Sequence, residues 1–327
     1  MATKTYLEAI RDGIREEMRR DDRVMILGED VGAKGGVFGV TEGLQKEFGE
    51  WRCLDSPLAE SCIVGVAIGA ALNGMRPIAE IQFQDFILPA IDQIVSEAAK
   101  MRYRSNGDWG VPMVVRAPFG GGVHGALYHS QSIEAMFAHV PGLRVVVPST
   151  PYDAKGMIIS ALRDPDPVLY FEHKRAYRAI KGEVPDDEYT VPLDRATIAR
   201  EGSDIAVYSY GMMVHTTLDA AARLSDDGFE CEVVDLRSLR PLDRDAIVAS
   251  ARKCGKVLIV QEANLAVSVA SEVAAIIAED CFEHLDAPVM RIGGPEIPAM
   301  PYAPPLESFY LVTPDKVETA LRALAAY

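Results

Sequence analysis

The sequence predicts an α/β protein with two domains, each built on a parallel sheet, and three observations support this prediction. Short apolar runs rich in β-branched residues alternate with amphipathic helical patterns along most of the chain. This alternation is typical of a parallel sheet with helices on both faces. The chain has 327 residues, enough for two domains. A polar stretch interrupts the alternation from Lys174 to Asp204, so we expect a domain on each side of it.

The first domain is predicted to contain five strands. They fall at 24–30, 76–83, 112–119, 143–149 and 167–173. Helices are expected between most of them, and Pro151 stands where a first helical turn tolerates proline. The helix after Ser56 is unusual because it is apolar on every side, so it is expected to be buried. Ser56 is expected to cap this helix and Pro57 to open it, which puts Glu60 in or just after the first turn.

The polar stretch reads as a linker with room for one strand, and the predicted division is a first domain at 1–187, a linker at 188–203 and a second domain at 204–327. In the second domain, strands are predicted at 204–211, 231–239, 256–263 and 287–294. Helices are predicted at 215–228, 243–255 and 268–285. Gly228 and Gly255 are expected to end two of these helices, because glycine adopts the left-handed conformation at low cost.

Composition excludes several classes of function. The chain carries 33 basic and 48 acidic residues, a net charge of −15, which disfavours nucleic acid and anionic membranes and favours a basic protein partner. Five cysteines without a CxxC pair argue against a zinc site or a disulfide framework and fit the reducing cytoplasm. The longest apolar run, 63–72, is too short to span a membrane.

Several residues could carry chemistry. Glu60 either stabilises the helix start through the dipole or exchanges a proton with a buried partner. The stretch FGGGVHGALYHSQS fits G-x-G-x-x-G, but no helix follows directly, which disfavours nucleotide binding. His124 and His129 in this stretch are either surface residues or proton donors, and their spacing does not favour a metal. Glu29 and Asp92 either cap helices or face a ligand.

The chain resembles the β subunit of thiamine-diphosphate-dependent 2-oxo acid dehydrogenases over nearly its whole length. The motifs that carry the resemblance are LGEDVGAKGGVFGVTEGL, DSPLAES, GMRPIAEIQFQDF, IDQIVSEAAKMRYRS, APFGGGVHGALYHSQSIEAMFAH, PGLRVVVPSTPYDAKG, DPDPVLYFEHKRAYR and CEVVDLRSLRPLD. HGALYHSQS with EAMFAH is more similar to the branched-chain enzymes than to the pyruvate ones. The resemblance implies a transketolase-like fold with a pyrimidine-binding domain and a C-terminal domain.

It also implies roles for individual residues. Glu60 would hydrogen-bond N1′ of the aminopyrimidine and favour the tautomer that takes the proton from C2 of the thiazolium. Leu58, Gln82 and Phe86 would bind the cofactor, with Phe86 stacking on the pyrimidine. His129 would serve acyl transfer to lipoamide. Glu29 and Asp92 would belong to a proton relay between active sites. A structural potassium site would use backbone oxygens around Met113, Ala161, Leu162, Asp164 and Asp166, where Asp166 replaces an asparagine common in the family.

The sequence contains no G-D-G motif, which in enzymes with this cofactor holds the diphosphate through Mg²⁺. The resemblance therefore implies an α chain that holds Mg²⁺ and half of the cofactor, in a heterotetramer of two α and two β chains. A dihydrolipoyl acyltransferase with a basic binding domain would dock on the acidic β chain. The implied activity is oxidative decarboxylation of a branched-chain 2-oxo acid with reductive acylation of lipoamide. A pyruvate or acetoin enzyme, or a non-catalytic scaffold, remains an alternative.

Overall fold

The protein is described by a computed structural model that covers every residue from Met1 to Tyr327. The strands are β1 Ala2–Thr5, β2 Val24–Gly28, β3 Cys53–Asp55, β4 Arg76–Glu80, β5 Val114–Phe119, β6 Arg144–Val146, β7 Val168–His173, β8 Lys181–Val184, β9 Thr197–Arg200, β10 Ile205–Ser209, β11 Cys231–Asp235, β12 Ser238–Arg240, β13 Val257–Asn264 and β14 Met290–Gly294. The α-helices are α1 Tyr6–Arg20, α2 Leu44–Phe48, α3 Glu60–Leu72, α4 Met101–Arg104, α5 Glu134–Ala138, α6 Pro151–Arg163, α7 Ala176–Ala179, α8 Met212–Ser225, α9 Arg244–Cys254, α10 Val269–Cys281, α11 Pro304–Tyr310 and α12 Pro314–Ala325. None of the helices has the length and apolar character needed to span a membrane.

The chain forms two compact units, and both are α/β as predicted. The first unit contains residues 1–119 and 136–193, and the second contains residues 120–135 and 194–327. The stretch 120–135 therefore leaves the first unit and belongs to the second, although the chain returns to the first unit after it. Sequence reasoning did not anticipate this excursion.

In the first unit, six strands form a parallel sheet in the order β6-β7-β5-β4-β2-β3. Its middle strands are buried along their whole length, because helices such as α1 and α6 cover the sheet. The register pairs Gly28 of β2 with Asp55 of β3 and with Glu80 of β4. The carboxyl ends of these three strands consequently lie side by side, which is where parallel sheets place ligand-binding residues.

In the second unit, the sheet order is β14-β13-β10-β11-β9. All pairs are parallel except β9, which runs antiparallel to β11 at the edge. Apolar residues of β10, β11 and β13 pack against α8 and α12, and the fully buried Val207, Val233 and Leu321 lie in this core. The predicted strands and helices of this part of the chain are all present, with ends shifted by a few residues.

Two predictions about local structure are wrong. The stretch from Lys174 to Asp204 holds α7, β8 and β9 rather than a single strand, because β8 pairs with the distant β1 and β9 extends the second sheet. Helix α3 begins at Glu60, not Pro57, and its N-cap residue Ala59 makes no side-chain cap. The Ser56 hydroxyl instead donates to the carbonyl oxygen of Pro57 at 2.9 Å.

Helix α3 is also not covered on all sides within the chain, contrary to the prediction. Val66 and Leu72 are 47% and 42% exposed, and Cys62 and Gly69 are exposed with them. These four residues follow the helical repeat, so they form one apolar face. We call it the α3 face.

Candidate functional site

Glu60 is the first residue of α3, where its carboxylate is favoured by the positive end of the helix dipole. The side chain is half-buried. No hydrogen bond or ion pair within the chain engages its carboxylate. A half-buried carboxylate without a partner in its own chain is suited to accept a hydrogen bond from a ligand.

Glu29 lies close enough to Glu60 for the two negative charges to repel each other. Burial raises the pKa of Glu29, and the negative charges of Asp30 and Glu60 raise it further. Glu29 follows the carboxyl end of β2, and the helix start that carries Glu60 follows β3, its neighbour in the sheet. The sheet topology therefore brings the two carboxylates together.

Asp30 belongs to the same group of acids, although sequence reasoning overlooked it. Its backbone is left-handed with φ of 60°, and its carbonyl oxygen accepts the Gly36 N–H at 2.8 Å. Its carboxylate accepts a hydrogen bond from Lys34 at 2.8 Å and one from the Gln82 amide at 3.5 Å. Gln82 is thereby tied to the acidic end of β2. The only sequence signal for Asp30 was its place beside Glu29 after a buried strand.

Phe86 is held by other aromatic rings. It lies in a 3₁₀ segment, Gln84–Ala90, directly after β4 and Gln82. Its ring centroid is 5.9 Å from that of Phe83 at an interplanar angle of 86°, and Phe83 makes a second edge contact with Phe38 at 5.5 Å. The Phe86 ring is half-buried. A fixed, half-buried ring offers a stacking surface to a planar ligand.

No hydrogen bond or ion pair within the chain links Leu58 or Asp92 to the other predicted site residues. Leu58 is 71% exposed in the segment before α3. Asp92 is exposed and precedes a turn of π-helix at Gln93–Glu97. Their predicted roles in cofactor binding and proton relay stay predictions.

Two of the five residues of the predicted potassium site accept hydrogen bonds from a guanidinium group. Arg76 donates to the carbonyl oxygens of Leu162 and Asp164 at 2.7 and 3.2 Å. The Ala161 carbonyl oxygen accepts the Asp164 N–H at 3.3 Å, and that of Met113 accepts the Val168 N–H at 3.0 Å. The Asp166 carboxylate pairs with Arg102 at 2.6 Å. Each carbonyl oxygen has a second lone pair, so a cation could still bind here, but it would share these oxygens with existing donors.

His129 lies in the second unit, in a loop that we call the histidine loop (residues 120–133). Four residues of this loop have positive φ, and two of them, His124 and Ala126, are not glycine. Each costs about 1 kcal/mol or more unless the surroundings hold it. Gly125 packs against the half-buried His129, because a Cβ atom at Gly125 would lie 2.7 Å from the His129 carbonyl oxygen. The loop is therefore strained and folded back on itself.

Two buried carboxylates of the second unit contact this loop. Glu307 of α11 accepts the N–H groups of Gly122 and His124 at 3.0 and 3.2 Å, and its other oxygen lies 2.5 Å from His124 Nδ1. Glu262 of β13 accepts the Gly121 N–H at 2.6 Å and the Ser132 hydroxyl at 3.3 Å. Sequence reasoning missed both residues, since each is more than a hundred positions from its partners in the loop.

A third carboxylate, Glu134, follows the loop and is completely buried. It accepts a hydrogen bond from the Tyr210 hydroxyl at 2.6 Å, whereas its other oxygen has no partner. Burial raises its pKa to about 7, the negative charge of Glu262 adds to the rise, and the bond from Tyr210 opposes it. Glu134 therefore changes its protonation near neutral pH. Its sequence context, between isoleucine and alanine before MF, was the one hint of burial.

The fold and the site together indicate the class of protein. Parallel α/β sheets in both units, with a partnerless carboxylate and a fixed aromatic ring at the strand ends of the first, are the features of a transketolase-type protein. Residues 2–180 match the transketolase pyrimidine-binding domain, and residues 194–317 match the transketolase C-terminal domain. A split-gene transketolase, solved as an inactive β4 tetramer, superposes with a TM-score of 0.80 at 23% identity, covering 98% of each chain. This last likeness shows the fold.

Similar proteins of known function show which family within this class the chain belongs to. The chain is 62% identical to the 2-oxoisovalerate dehydrogenase subunit beta of Bacillus subtilis over 327 residues, the full length of both. It is 49% identical to the pyruvate dehydrogenase E1 component subunit beta of the same organism, over 99% of each chain. It is 47% identical to the subunit beta of its acetoin:2,6-dichlorophenolindophenol oxidoreductase, over 95% of this chain and 94% of the relative. The chain belongs to the family of 2-oxo acid dehydrogenase β subunits, and the branched-chain type is favoured as predicted.

Proposed function

We propose that this chain is the β subunit of an enzyme that oxidatively decarboxylates branched-chain 2-oxo acids and passes the acyl group to lipoamide. The enzyme would use thiamine diphosphate and a separate α subunit. The observation that carries the proposal is the half-buried Glu60 carboxylate, which has no partner in its own chain and lies beside Glu29. The 62% identity to a 2-oxoisovalerate dehydrogenase subunit beta supports the choice of substrate class.

The donor set of the first unit fits the aminopyrimidine half of the cofactor. Glu60 can accept a hydrogen bond from a protonated ring nitrogen, and the fixed Phe86 ring can stack on the pyrimidine face. Leu58 and Gln82 would complete this wall. When bound, thiamine diphosphate supplies a thiazolium that stabilises negative charge on the substrate carbon. Glu60 would hold the proton at the pyrimidine nitrogen, and Glu29, with its raised pKa, would exchange protons with it.

The same unit does not fit the diphosphate half. Glu29, Asp30 and Glu60 concentrate negative charge at the strand ends, and a diphosphate there would be repelled. The chain also lacks the G-D-G motif that binds Mg²⁺. We therefore assign the diphosphate and Mg²⁺ to the α subunit, so that the cofactor is shared between two chains.

The exposed α3 face supports the need for a partner. It places Val66 and Leu72 in solvent within the single chain, and a β carbon added at Gly69 would meet no atom within 4 Å. Small and apolar residues on one helix face allow another helix to approach closely. A heterotetramer of two α and two β chains would bury this face.

The remaining assignments come from the family resemblance. His129 would assist acyl transfer to lipoamide, and Asp92 would join Glu29 in a proton relay. A potassium ion would bind the carbonyl oxygens of Ala161, Leu162 and their neighbours, in competition with Arg76 for two of them. The net charge of −15 would attract the basic binding domain of a dihydrolipoyl acyltransferase. The free cysteines and this assembly fit the cytoplasm.

The decisive experiment replaces Glu60 in the chain copurified with its α subunit. Decarboxylation of a branched-chain 2-oxo acid is measured with an artificial electron acceptor. Glu60→Ala should lower the rate by roughly three orders of magnitude, because proton transfer at the cofactor depends on this carboxylate. Glu97→Ala, which removes an exposed carboxylate of the first unit, is the control and should keep the rate.

A Glu60→Ala enzyme that decarboxylates normally would favour a scaffold role instead. The substrate class is tested separately by comparing rates with branched-chain 2-oxo acids, pyruvate and acetoin. A preference above tenfold for pyruvate or acetoin would overturn the branched-chain assignment.

A further inference from the structure

We propose that Glu262 and Glu307 are positioning residues that hold the histidine loop in the conformation from which His129 acts. The proposal rests on the function proposed for His129, and it extends that function to two carboxylates of the second unit. Neither residue would touch the substrate. They would act through the loop backbone.

Glu307 fixes the first half of the loop. The residue is 2% exposed, and one carboxylate oxygen accepts two backbone N–H groups, those of Gly122 and His124. The other oxygen lies 2.5 Å from His124 Nδ1. A carboxylate that accepts several hydrogen bonds binds its donors more strongly than a neutral acceptor does. Glu307 therefore selects the left-handed backbone that His124 adopts at φ of 56°.

Glu262 joins the two ends of the loop. It is also 2% exposed, and one oxygen accepts both the Gly121 N–H and the Ser132 hydroxyl, which are eleven positions apart in the sequence. A backbone hydrogen bond from the Gly120 N–H to the Gln131 carbonyl oxygen, at 3.0 Å, also joins the two ends of the loop. His129 lies in the sequence between the residues bound by Glu307 and the Ser132 hydroxyl bound by Glu262, so its position depends on both carboxylates.

The loop has little regular structure and little apolar packing of its own. It contains no strand, and its regular structure is one 3₁₀ turn at Ala126–Tyr128. Val123, Leu127 and Tyr128 are exposed rather than packed. With strained backbone and little apolar burial, such a loop would open locally without its charged acceptors. The carboxylates supply the fixed geometry that a catalytic histidine needs.

The experiment uses the chain assembled with its α subunit. Two rates are measured for each variant: acylation of lipoamide and decarboxylation with an artificial electron acceptor. Hydrogen exchange of the amides of the histidine loop, residues 120–133, is measured in the same assembly. The variants are Glu307→Ala, Glu307→Gln, Glu262→Ala and His129→Ala. Glu296→Ala is the matched control, because this carboxylate of the second unit also accepts two backbone N–H groups, at Leu265 and Ala266, and neither belongs to the histidine loop.

Glu307→Ala and Glu262→Ala should each lower the ratio of acylation to decarboxylation by about tenfold or more and raise loop exchange by a similar factor. Glu307→Gln should restore most of both readouts, since its amide oxygen can still accept the two N–H groups. Glu296→Ala should change neither. Unchanged exchange in the loop, or increased exchange with an unchanged ratio, would overturn the proposal.

The outcomes separate this proposal from the function on which it rests. If His129→Ala lowers the ratio and Glu307→Ala does not, the positioning role is wrong while the role of His129 stands. If His129→Ala leaves the ratio unchanged, the role of His129 is wrong, and the positioning role fails with it.

Discussion

Glu134→Gln should make the second unit more stable at alkaline pH relative to the wild type. Glu134 is completely buried, with one oxygen bonded to Tyr210 and the other without a partner. Its pKa is raised to about 7 from 4.5, chiefly by burial. Glutamine has nearly the same shape and can accept the same bond from Tyr210, but it stays neutral at every pH.

The direction and size of the effect follow from proton linkage. Because the folded state binds the proton more tightly, its stability from this group is fully present below pH 4.5 and is lost as the pH rises through about 7. The shift from 4.5 to about 7 corresponds to about 3 kcal/mol in the free energy of unfolding. The free energy of unfolding of the glutamine variant does not undergo this decrease as the pH rises.

The assay is denaturant unfolding of the wild-type chain and the variant at pH 5, 6, 7 and 8. The free energy of the variant minus that of the wild type cancels the other titrating groups, so it isolates Glu134. This difference should rise by about 2.5 kcal/mol between pH 5 and pH 8. Glu283→Gln, an exposed carboxyl in the same unit, is the control and should show a flat difference.

A flat difference for Glu134→Gln would refute the reasoning. It would mean that Glu134 is ionised in the folded protein across this range, and that water or rearrangement satisfies its second oxygen. A difference that falls with pH would contradict the sign of the pKa shift itself.

Three further predictions concern packing and assembly. Arg116→Leu should lower the free energy of unfolding, measured with denaturant, by about 3 to 5 kcal/mol, because it leaves the buried Glu80 and Glu172 without their cation. A decrease below about 1 kcal/mol would contradict this prediction. Val66→Asp should leave the circular dichroism of the chain unchanged and abolish copurification with the α subunit, and normal copurification would argue against the α3 face as an interface. Gly142→Ala should lower stability by about 2 kcal/mol or more, since its Cβ would lie 1.9 Å from the Ala99 carbonyl oxygen at a φ of 93°; an unchanged melting temperature would show that the backbone adapts.

Part of the candidate site could be predicted from local sequence. Glu29 directly follows the buried strand β2, and an acid placed there in an α/β protein lies at the ligand edge of the sheet. Glu60 could be placed near the start of a helix from the Ser-Pro pair before it. The two histidines were visible in a glycine-rich stretch. Asp30 could have been found by the same rule, but its left-handed backbone and its link to Gln82 could not.

The sequence alone determined the fold class, because the patterns of strands and helices depend on residues only two to four positions apart in the chain. The tertiary structure decided which distant residues meet. It pairs β8 with β1, gives the histidine loop to the second unit and brings Glu307 to Gly122, 185 positions away. It also leaves the α3 face exposed, although the composition of α3 predicted full burial. Hydrogen bonds and burial between remote segments have no local periodicity, so no pattern in the chain could reveal them.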